Sequence, residues 1–499
     1  MLVLIEDQRF LLATGNLDGG NLLGKTPGFL GRRGFLLGAQ GKRILVFPRD
    51  IELFGDVFCR FRHGVDAKGF LHQRVDQAPA DGGVFDFLAA RKGAIGLAHH
   101  VGRAGHGFHA AGQYQVHFTG ADGVETDEGR LIASIIANDL VSSGLFEPID
   151  EAAFIAPPGS PSIKPNFANW APLGAKGLLV GSAELDENGK LQVEFVLWDV
   201  VTERDLTSGA GSADPNAMRQ LSHKIADLVY EEFTGDTGYF DTQIVYVAEA
   251  GSQTRRVKRL AIMDQDGHNH KFLTSGLDLV LTPRFSPTTQ EIAYLNFFND
   301  EPNVYIQDIR SGRSERLGSF PGMTFAPRFG PKGDRLIMSW AKDEDGASDI
   351  YEMDLRTQEI RQLTNSRAID TAPSYSPDGK RVVFESNRAG RQQIYTMTSN
   401  GKNVQRISYG EGRYATPVWS PRGDIIAFTK MHRGTFYIGV MNVDGTGERL
   451  LAEGFLVEGP TWAPNGRVLM YFKQEPFTNE GDGGEAALYR IDITGYNER

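Results

Sequence analysis

The sequence contains almost no cysteine and no long apolar run. Its 499 residues include a single cysteine, Cys59, which excludes a disulfide framework and a cysteine-rich metal site. No stretch approaches the roughly 18 consecutive apolar residues of a membrane-spanning helix. We therefore predict a globular chain without a transmembrane segment, and its length favours more than one domain.

The sequence also lacks the signature of a serine hydrolase. The nucleophile elbow Gly-x-Ser-x-Gly is absent, and the four histidines after residue 121 lie in unrelated segments: His223, His268, His270 and His432. Neither a catalytic triad nor a carboxylate pair can be assembled from the spacing of these residues. The sequence predicts a protein that is not an enzyme and that holds no cofactor and no metal.

One acidic segment, Asp264–His270, begins with the carboxylate spacing of a calcium-binding loop. The full pattern requires a glutamate at its twelfth position, where this chain has Ser275. The segment also falls where the neighbouring repeats have a β-turn. We therefore interpret it as a turn.

Residues 1–121 contain no serine, although serine is among the commonest residues of globular proteins. The segment holds 21 of the 59 glycines and 7 of the 11 histidines, and its apolar residues follow neither a helical nor a strand period. We predict that it forms no compact fold, and a wrong start or reading frame explains its composition better than an extra domain. It does not open with a recognisable signal peptide, because Glu6 and Asp7 interrupt the first apolar run.

Negative charge is concentrated in the rest of the chain. Residues 1–121 carry 14 Lys/Arg and 10 Asp/Glu, so the totals of 52 and 63 leave 38 and 53 for residues 122–499. The difference, 38 − 53, is a formal charge of −15. An acidic region of this size argues against nucleic acid as a partner.

Residues 122–235 have the pattern of a small α/β domain. Thr126 is expected to cap a helix with an apolar face, and Asp214 with Pro215 is expected to begin a second helix that stops at Gly235. Between them, two strands flank an Asn-Gly turn at Asn188. Two helices on one face of a small sheet are the expected packing.

Residues 236–499 repeat one element five times. A strand with the pattern Pro-x-aromatic is followed by a second proline, and the first prolines are Pro283, Pro327, Pro373, Pro417 and Pro460. A second pattern, an apolar strand such as Tyr351–Asp354, occurs six times. A period of 40 to 50 residues with four strands per repeat is typical of a β-propeller. The predicted fold is a small α/β domain followed by an all-β six-bladed propeller that lacks its closing strand, the inner strand of blade one.

The two regions together resemble the TolB family of the bacterial Tol-Pal system. The resemblance is carried by Ile132–Phe146 and Val193–Val200 in the small domain and by the propeller repeats that follow. It implies a non-enzymatic periplasmic scaffold that binds the lipoprotein Pal on one propeller face and TolA through an N-terminal extension, and that acts in outer-membrane integrity and cell division. The family also has a signal peptide and a TolA-binding segment, and neither is recognised in residues 1–121.

The connections between consecutive blades are the predicted partner-binding site, because loops on a rigid ring commonly carry function. They contain residue types found at interface hot spots. The alternative is that some of these side chains merely fill the junctions between blades. The predicted Pal-binding residues are Ser275, Phe320, Met323, Arg367, Asp370, Arg413, Tyr414 and Phe455.

Two other classes of propeller protein remain as alternatives. Ser-Pro-Asp-Gly repeats also resemble the propeller of prolyl-oligopeptidase-like serine peptidases, but the hydrolase domain that such enzymes require is not recognised in this sequence. A WD40-type scaffold is the other alternative. The only Trp-Asp pair, Trp198-Asp199, lies in the small domain, where such a repeat signature has no place.

Overall fold

The computed structural model describes most of the chain after residue 111 and three short strands before it. The described ranges after residue 111 are 112–157, 159–251, 256–299, 301–320, 323–341, 347–476 and 486–499. The earlier strands are β1 (Phe35–Ala39), β2 (Lys42–Val46) and β3 (Leu88–Ala89). Strands β1 and β2 form an antiparallel pair.

A mixed six-stranded sheet forms the small domain, with the strand order β3-β8-β7-β6-β4-β5. Strand β4 runs parallel to β5 and β6, whereas β6, β7 and β8 are antiparallel neighbours. The β6–β7 hairpin turns through Gly189 at φ 73°, as the Asn-Gly pair predicted. The strands are β4 (Gly112–Thr119), β5 (Phe146–Pro148), β6 (Ala175–Leu185), β7 (Leu191–Asp199) and β8 (Arg204–Ala213).

Two helices pack against each other and against this sheet: α1 (Asp127–Ser142) and α2 (Met218–Thr234). Thr126 caps α1, because its Oγ1 accepts the Gly129 N–H at 3.0 Å. Asp214 caps a 3₁₀ turn (Pro215–Ala217) that leads into α2, and Gly235 ends α2 at φ 72°. The predicted helix boundaries are therefore confirmed to within three residues.

The small domain begins earlier than the sequence predicted. Strand β4 lies inside the segment 1–121, for which no compact fold was expected, yet it pairs with β6 over seven residues. Tyr114 and Phe118 of this strand are buried, and their rings lie where a Cβ on Gly177 or Gly181 would be. Residues 112–121 therefore belong to the small domain, as does β3, and the predicted boundary at residue 122 is wrong by at least ten residues.

The segment that follows α2 is held tightly against that helix. Asp227 accepts the backbone N–H groups of Phe240 at 2.6 Å and Asp241 at 3.1 Å. The rings of Tyr239 and Phe240 are buried and lie 5.7 and 5.6 Å from Tyr230. Burial raises the pKa of Asp227 to about 8, against the opposing effect of the two N–H groups.

The described residues from Gln243 onward form a six-bladed propeller. Four blades have four antiparallel strands in sequence order. Blade two contains β12 (Leu279–Phe285), β13 (Glu291–Phe298), β14 (Glu301–Asp308) and β15 (Ser314–Ser319), and blade three contains β16 (Met323–Phe329), β17 (Arg335–Ala341), β18 (Asp349–Asp354) and β19 (Ile360–Gln362). Blade four contains β20 (Asp370–Tyr375), β21 (Arg381–Ser386), β22 (Gln393–Thr398) and β23 (Gln405–Arg406), and blade five contains β24 (Arg413–Trp419), β25 (Ile425–His432), β26 (Thr435–Asn442) and β27 (Arg449–Gly454).

The first and last blades have three strands each. In blade one the sheet order is β11-β10-β9, and no strand from the described ranges pairs with the inner edge of β9. Blade six has the start of an outer strand, because Arg490 and Arg499 exchange N–H···O bonds of 3.0 and 3.1 Å. The strands are β9 (Gln243–Ala250), β10 (Val257–Asp264) and β11 (Lys271–Phe272) in blade one, and β28 (Leu456–Trp462), β29 (Val468–Gln474) and β30 (Ala486–Asp492) in blade six.

Each inner strand of blades two to six bulges at the residue before its proline. Thr282, Ala326, Ala372 and Thr416 have φ between 48° and 50°, and the equivalent Gly459 has φ 65°. The register of the inner strand shifts at the same place in all five blades. A left-handed residue before proline is unfavourable in isolation, so contacts within the propeller must stabilise this conformation.

One such contact joins consecutive blades. The buried Glu385 of blade four accepts the N–H of Thr416 in blade five at 2.9 Å. Thr429 occupies the equivalent position in blade five, and its Oγ1 accepts the N–H of Gly459 in blade six at 3.3 Å. These side chains satisfy backbone groups that the bulge removes from the strand ladder.

Glu385→Ala should lower the free energy of unfolding by about 1–3 kcal/mol, because a buried N–H would lose its acceptor. Glu385→Gln keeps a side-chain oxygen at the same place and should cost clearly less. Urea unfolding of both variants measures the difference. Equal losses would show that the oxygen's bond to Thr416 does not stabilise the junction.

Among the described residues, no helix combines the length and the apolar character needed to cross a bilayer.

Candidate functional site

Antiparallel pairing within each blade determines which loops share an end of the ring. The first strand of a blade starts where the preceding blade's outer strand ends, so the connections between blades lie at one end. The turns between second and third strands lie at that same end. We call this surface the loop face.

Four of the eight predicted partner-binding residues have accessible side chains at this face. Ser275 and Arg367 are exposed, Arg413 is half-buried, and Phe455 is 48% exposed. Their topological position is the predicted one, but their role in binding stays a prediction.

Three others are buried, so their interpretation as accessible loop residues is wrong. Phe320, Asp370 and Tyr414 have exposures of 1%, 0% and 0%. Phe320 packs edge-on against Trp340 at 5.6 Å. Asp370 and Tyr414 belong to inner strands β20 and β24 rather than to the loops before them. Met323 is the first residue of β16, and its side chain lies outside the described residues.

Tyr414 lies in a hydrogen-bonded group at the start of blade five. Its hydroxyl donates to Glu448 at 2.7 Å, and Lys430 contacts both the same carboxylate at 2.6 Å and the tyrosine ring at 4.8 Å. Burial is the main cause that raises the pKa of Tyr414. A Cβ on Gly410 would lie 2.1 Å from the tyrosine hydroxyl, so only glycine fits over this group.

Asp370 is bound from the adjoining turn of blade four. Its Oδ2 lies 2.7 Å from Arg388 Nη2, and the Arg388 Nε donates to Ser386 at 2.9 Å. The guanidinium also lies over the rings of Phe384 and Tyr395 at 5.4 and 5.1 Å. This ion pair, in which only the carboxylate is fully buried, fixes the start of β20 to the turn after β21.

The loop face carries exposed apolar side chains that the sequence interpretation missed. Leu277, Phe298 and Leu279 of blade two are 90%, 50% and 40% exposed. Leu279 pairs across the strands with Phe297, the residue before Phe298, and Leu277 lies in the connection before Leu279, so all three residues lie at the loop-face end of blade two. In the sequence, the position of Leu277 next to a glycine in a connection between blades could have indicated this patch. Phe298 could not be distinguished from a buried strand residue.

The acidic segment Asp264–His270 forms the turn that was predicted. Gly267 donates its N–H to the Asp264 carbonyl at 2.9 Å, and the Asp264 N–H is bonded to the His268 carbonyl at 2.8 Å. Asn269 donates its side-chain amide to the Asp264 carboxylate at 2.6 Å. The polar side chains of this segment therefore also stabilise the turn.

His223 has a buried carboxylate partner in the small domain. Its Nδ1 on α2 lies 2.6 Å from Asp139 Oδ2 on α1, and both side chains are at most 3% exposed. Such a pair inside a helix–helix contact holds two elements together.

Comparison with known families follows the same two-part division. The family model for the TolB amino-terminal domain matches residues 111–206, and the model for the TolB beta propeller domain matches residues 230–499. The chain belongs to the TolB family. The match of the TolB amino-terminal domain begins one residue before β4, in agreement with the corrected domain boundary.

Individual TolB proteins resemble the chain over most of its length. The Tol-Pal system protein TolB of Paramagnetospirillum magneticum is 57% identical over 382 residues, covering 77% of this chain and 85% of the relative. The Gluconobacter oxydans protein of the same name is 45% identical over 74% of this chain and 80% of its own length. The crystal structure of TolB from Acinetobacter baumannii matches with a TM-score of 0.68 at 27% identity, over 78% of this chain and 92% of that one.

Proposed function

We propose that this chain is a non-enzymatic periplasmic scaffold of the Tol-Pal system that binds the lipoprotein Pal through its loop face. Membership of the TolB family supports the system. The observation that carries the site is the set of exposed apolar side chains at one end of the ring, Leu277, Phe298 and Phe455. The proposal includes a contact with TolA and a role in outer-membrane integrity and envelope constriction at division, both through the family resemblance.

The exposed side chains suit a protein partner. Apolar and aromatic residues surrounded by polar loops are the usual anchors of an interface, because their burial removes apolar surface from water. The scaffold beneath them is rigid, since each loop joins strands that are paired within a blade. Binding would therefore need little ordering of the loop face, which reduces its entropic cost.

We expect the variant Leu277→Ala/Phe298→Ala/Phe455→Ala to bind the soluble domain of Pal at least about tenfold more weakly than the unmodified chain, which is ~1.4 kcal/mol. Isothermal titration calorimetry measures the affinity. The melting temperature should hardly change, because exposed side chains contribute little to stability.

Leu450→Ala is the matched control. Leu450 is 45% exposed but lies near the start of outer strand β27, at the end of the blade opposite the loop face. Its truncation should leave the affinity for Pal unchanged. Equal affinity of the triple variant and the unmodified chain would contradict the proposed site.

A further inference from the structure

The loop face of blades four and five carries four arginines besides Arg388, which is paired with Asp370. Arg367 lies in the connection before β20, and Arg391 lies in the turn between β21 and β22. Arg413 is the first residue of β24, and Arg433 lies in the turn between β25 and β26. All four positions are at the same end of the ring by the topology of the blades.

Backbone contacts make these four positions continuous. The Tyr414 N–H donates to the Gln392 carbonyl at 3.0 Å, which places Arg413 beside Arg391. Arg413 pairs across the strands with Met431, two residues before Arg433.

Within blade four, the Ile369 N–H donates to the Asn387 side chain at 2.9 Å. This bond joins the connection that contains Arg367 to the turn that contains Arg391. We call the four arginines the basic sector.

Few carboxylates neutralise this sector. Glu411 lies 3.8 Å from Arg433 and 3.6 Å from His432, and the buried Asp370 is bonded to Arg388. Within the described ranges, no carboxylate lies within ion-pair distance of Arg367, Arg391 or Arg413. The basic sector is therefore a positively charged surface, although the formal net charge of the chain is −11.

We propose that the basic sector docks an acidic protein surface, one that presents several carboxylates to Arg367, Arg391, Arg413 and Arg433. This inference rests on the proposed function, in which the partner is Pal, and it adds the chemistry by which one part of the loop face selects its partner. Solvated charges at the rim of an interface mainly raise the association rate, because they steer the partner before contact. The apolar side chains of blade two would then supply the close packing.

A protein surface fits the sector better than an anionic membrane or a nucleic acid. The sector occupies two of six blades, and the chain as a whole is acidic. An extended polyanion would meet the repulsive charge of the surrounding molecule, whereas a local acidic patch of a protein would meet only the arginines.

The test measures association kinetics of the soluble Pal domain by surface plasmon resonance at ~0.05 M and ~0.5 M salt. For Arg391→Glu/Arg413→Glu, we expect the association rate constant at low salt to fall by about tenfold or more, with a smaller change in the dissociation rate constant. The salt dependence of association should also become weaker. Arg391→Gln/Arg413→Gln should give an intermediate effect.

The matched control is Arg356→Glu/Lys402→Glu, which reverses two exposed charges in turns at the opposite end of blades three and four. It should associate like the unmodified chain. The proposal would be overturned if Arg391→Glu/Arg413→Glu associated with Pal at the same rate as this control.

Three further probes test this proposal independently of the proposed function. If the unmodified chain does not bind Pal, the proposed function fails, and the sector is then judged with an octaglutamate peptide. Salt-sensitive binding of that peptide that is lost in Arg391→Glu/Arg413→Glu supports the sector, and no binding overturns it. Stronger binding to phosphatidylglycerol vesicles or to an oligonucleotide than to the peptide would also overturn the assignment to an acidic protein.

Discussion

Tyr414→Ala is expected to lower the free energy of unfolding by about 3–5 kcal/mol, the cost typical of truncating a large buried aromatic residue. The ring is fully buried and lies 5.3 Å from Phe428. Its loss would open a cavity and remove the hydroxyl that donates to Glu448. Urea unfolding of the full chain, followed by circular dichroism, measures the change.

Two variants serve as controls for this result. Tyr414→Phe keeps the ring and removes one hydrogen bond to a charged group, so it should cost only about 1.5–3 kcal/mol. Phe455→Ala, at a half-exposed site of the same loop face, should stay within about 0.5 kcal/mol of the unmodified chain. A Tyr414→Ala chain with an unchanged unfolding midpoint would show that the Tyr414 side chain does not hold blade five together.

His223→Ala should destabilise the small domain by about 3–5 kcal/mol, because it leaves the carboxylate of Asp139 buried without its imidazole partner. The two side chains join α1 to α2 at 2.6 Å. The propeller can stay folded while this domain loosens, so a global melting curve is an ambiguous measure. Hydrogen exchange of the amides in the two helices reports the small domain directly.

The double variant Asp139→Ala/His223→Ala distinguishes a pair from two independent residues. If the imidazole and the carboxylate stabilise each other, the double variant should lose less stability than the sum of the two single variants. The expected shortfall is at least about 1 kcal/mol, within the range measured for residues in contact. Strictly additive losses would contradict the assignment of the pair as a helix–helix link.

The propeller could be predicted from the sequence because its signals are local and repeated. Each Pro-x-aromatic strand with its following turn occupies a few consecutive residues, and five copies remove the ambiguity of one. The caps at Thr126 and Asp214 are equally local.

The errors arose where local pattern and three-dimensional position disagree. Strand β4 was missed because its residues follow a segment of unusual composition, and a single strand has little periodicity of its own. Tyr414 and Asp370 were placed in loops, yet each is at or next to the first residue of an inner strand and is fully buried there.

Long-range pairs were also invisible in the sequence. The contact of His223 with Asp139 joins residues 84 positions apart, and no spacing rule connects them. The left-handed residues before proline were not predicted, because proline alone favours an extended neighbour. Contacts such as the bond from Thr416 to Glu385 outweigh that preference.

The most direct test of the central proposal is hydrogen–deuterium exchange of the full chain with and without a saturating amount of the soluble Pal domain. We expect protection in the connection that contains Leu277, in the turn after Phe298 and around Phe455. The turns at the opposite end, such as Pro377–Gly379, should exchange at unchanged rates. Protection confined to those opposite turns, or no protection at saturating Pal, would contradict the proposal that the loop face of this chain binds Pal.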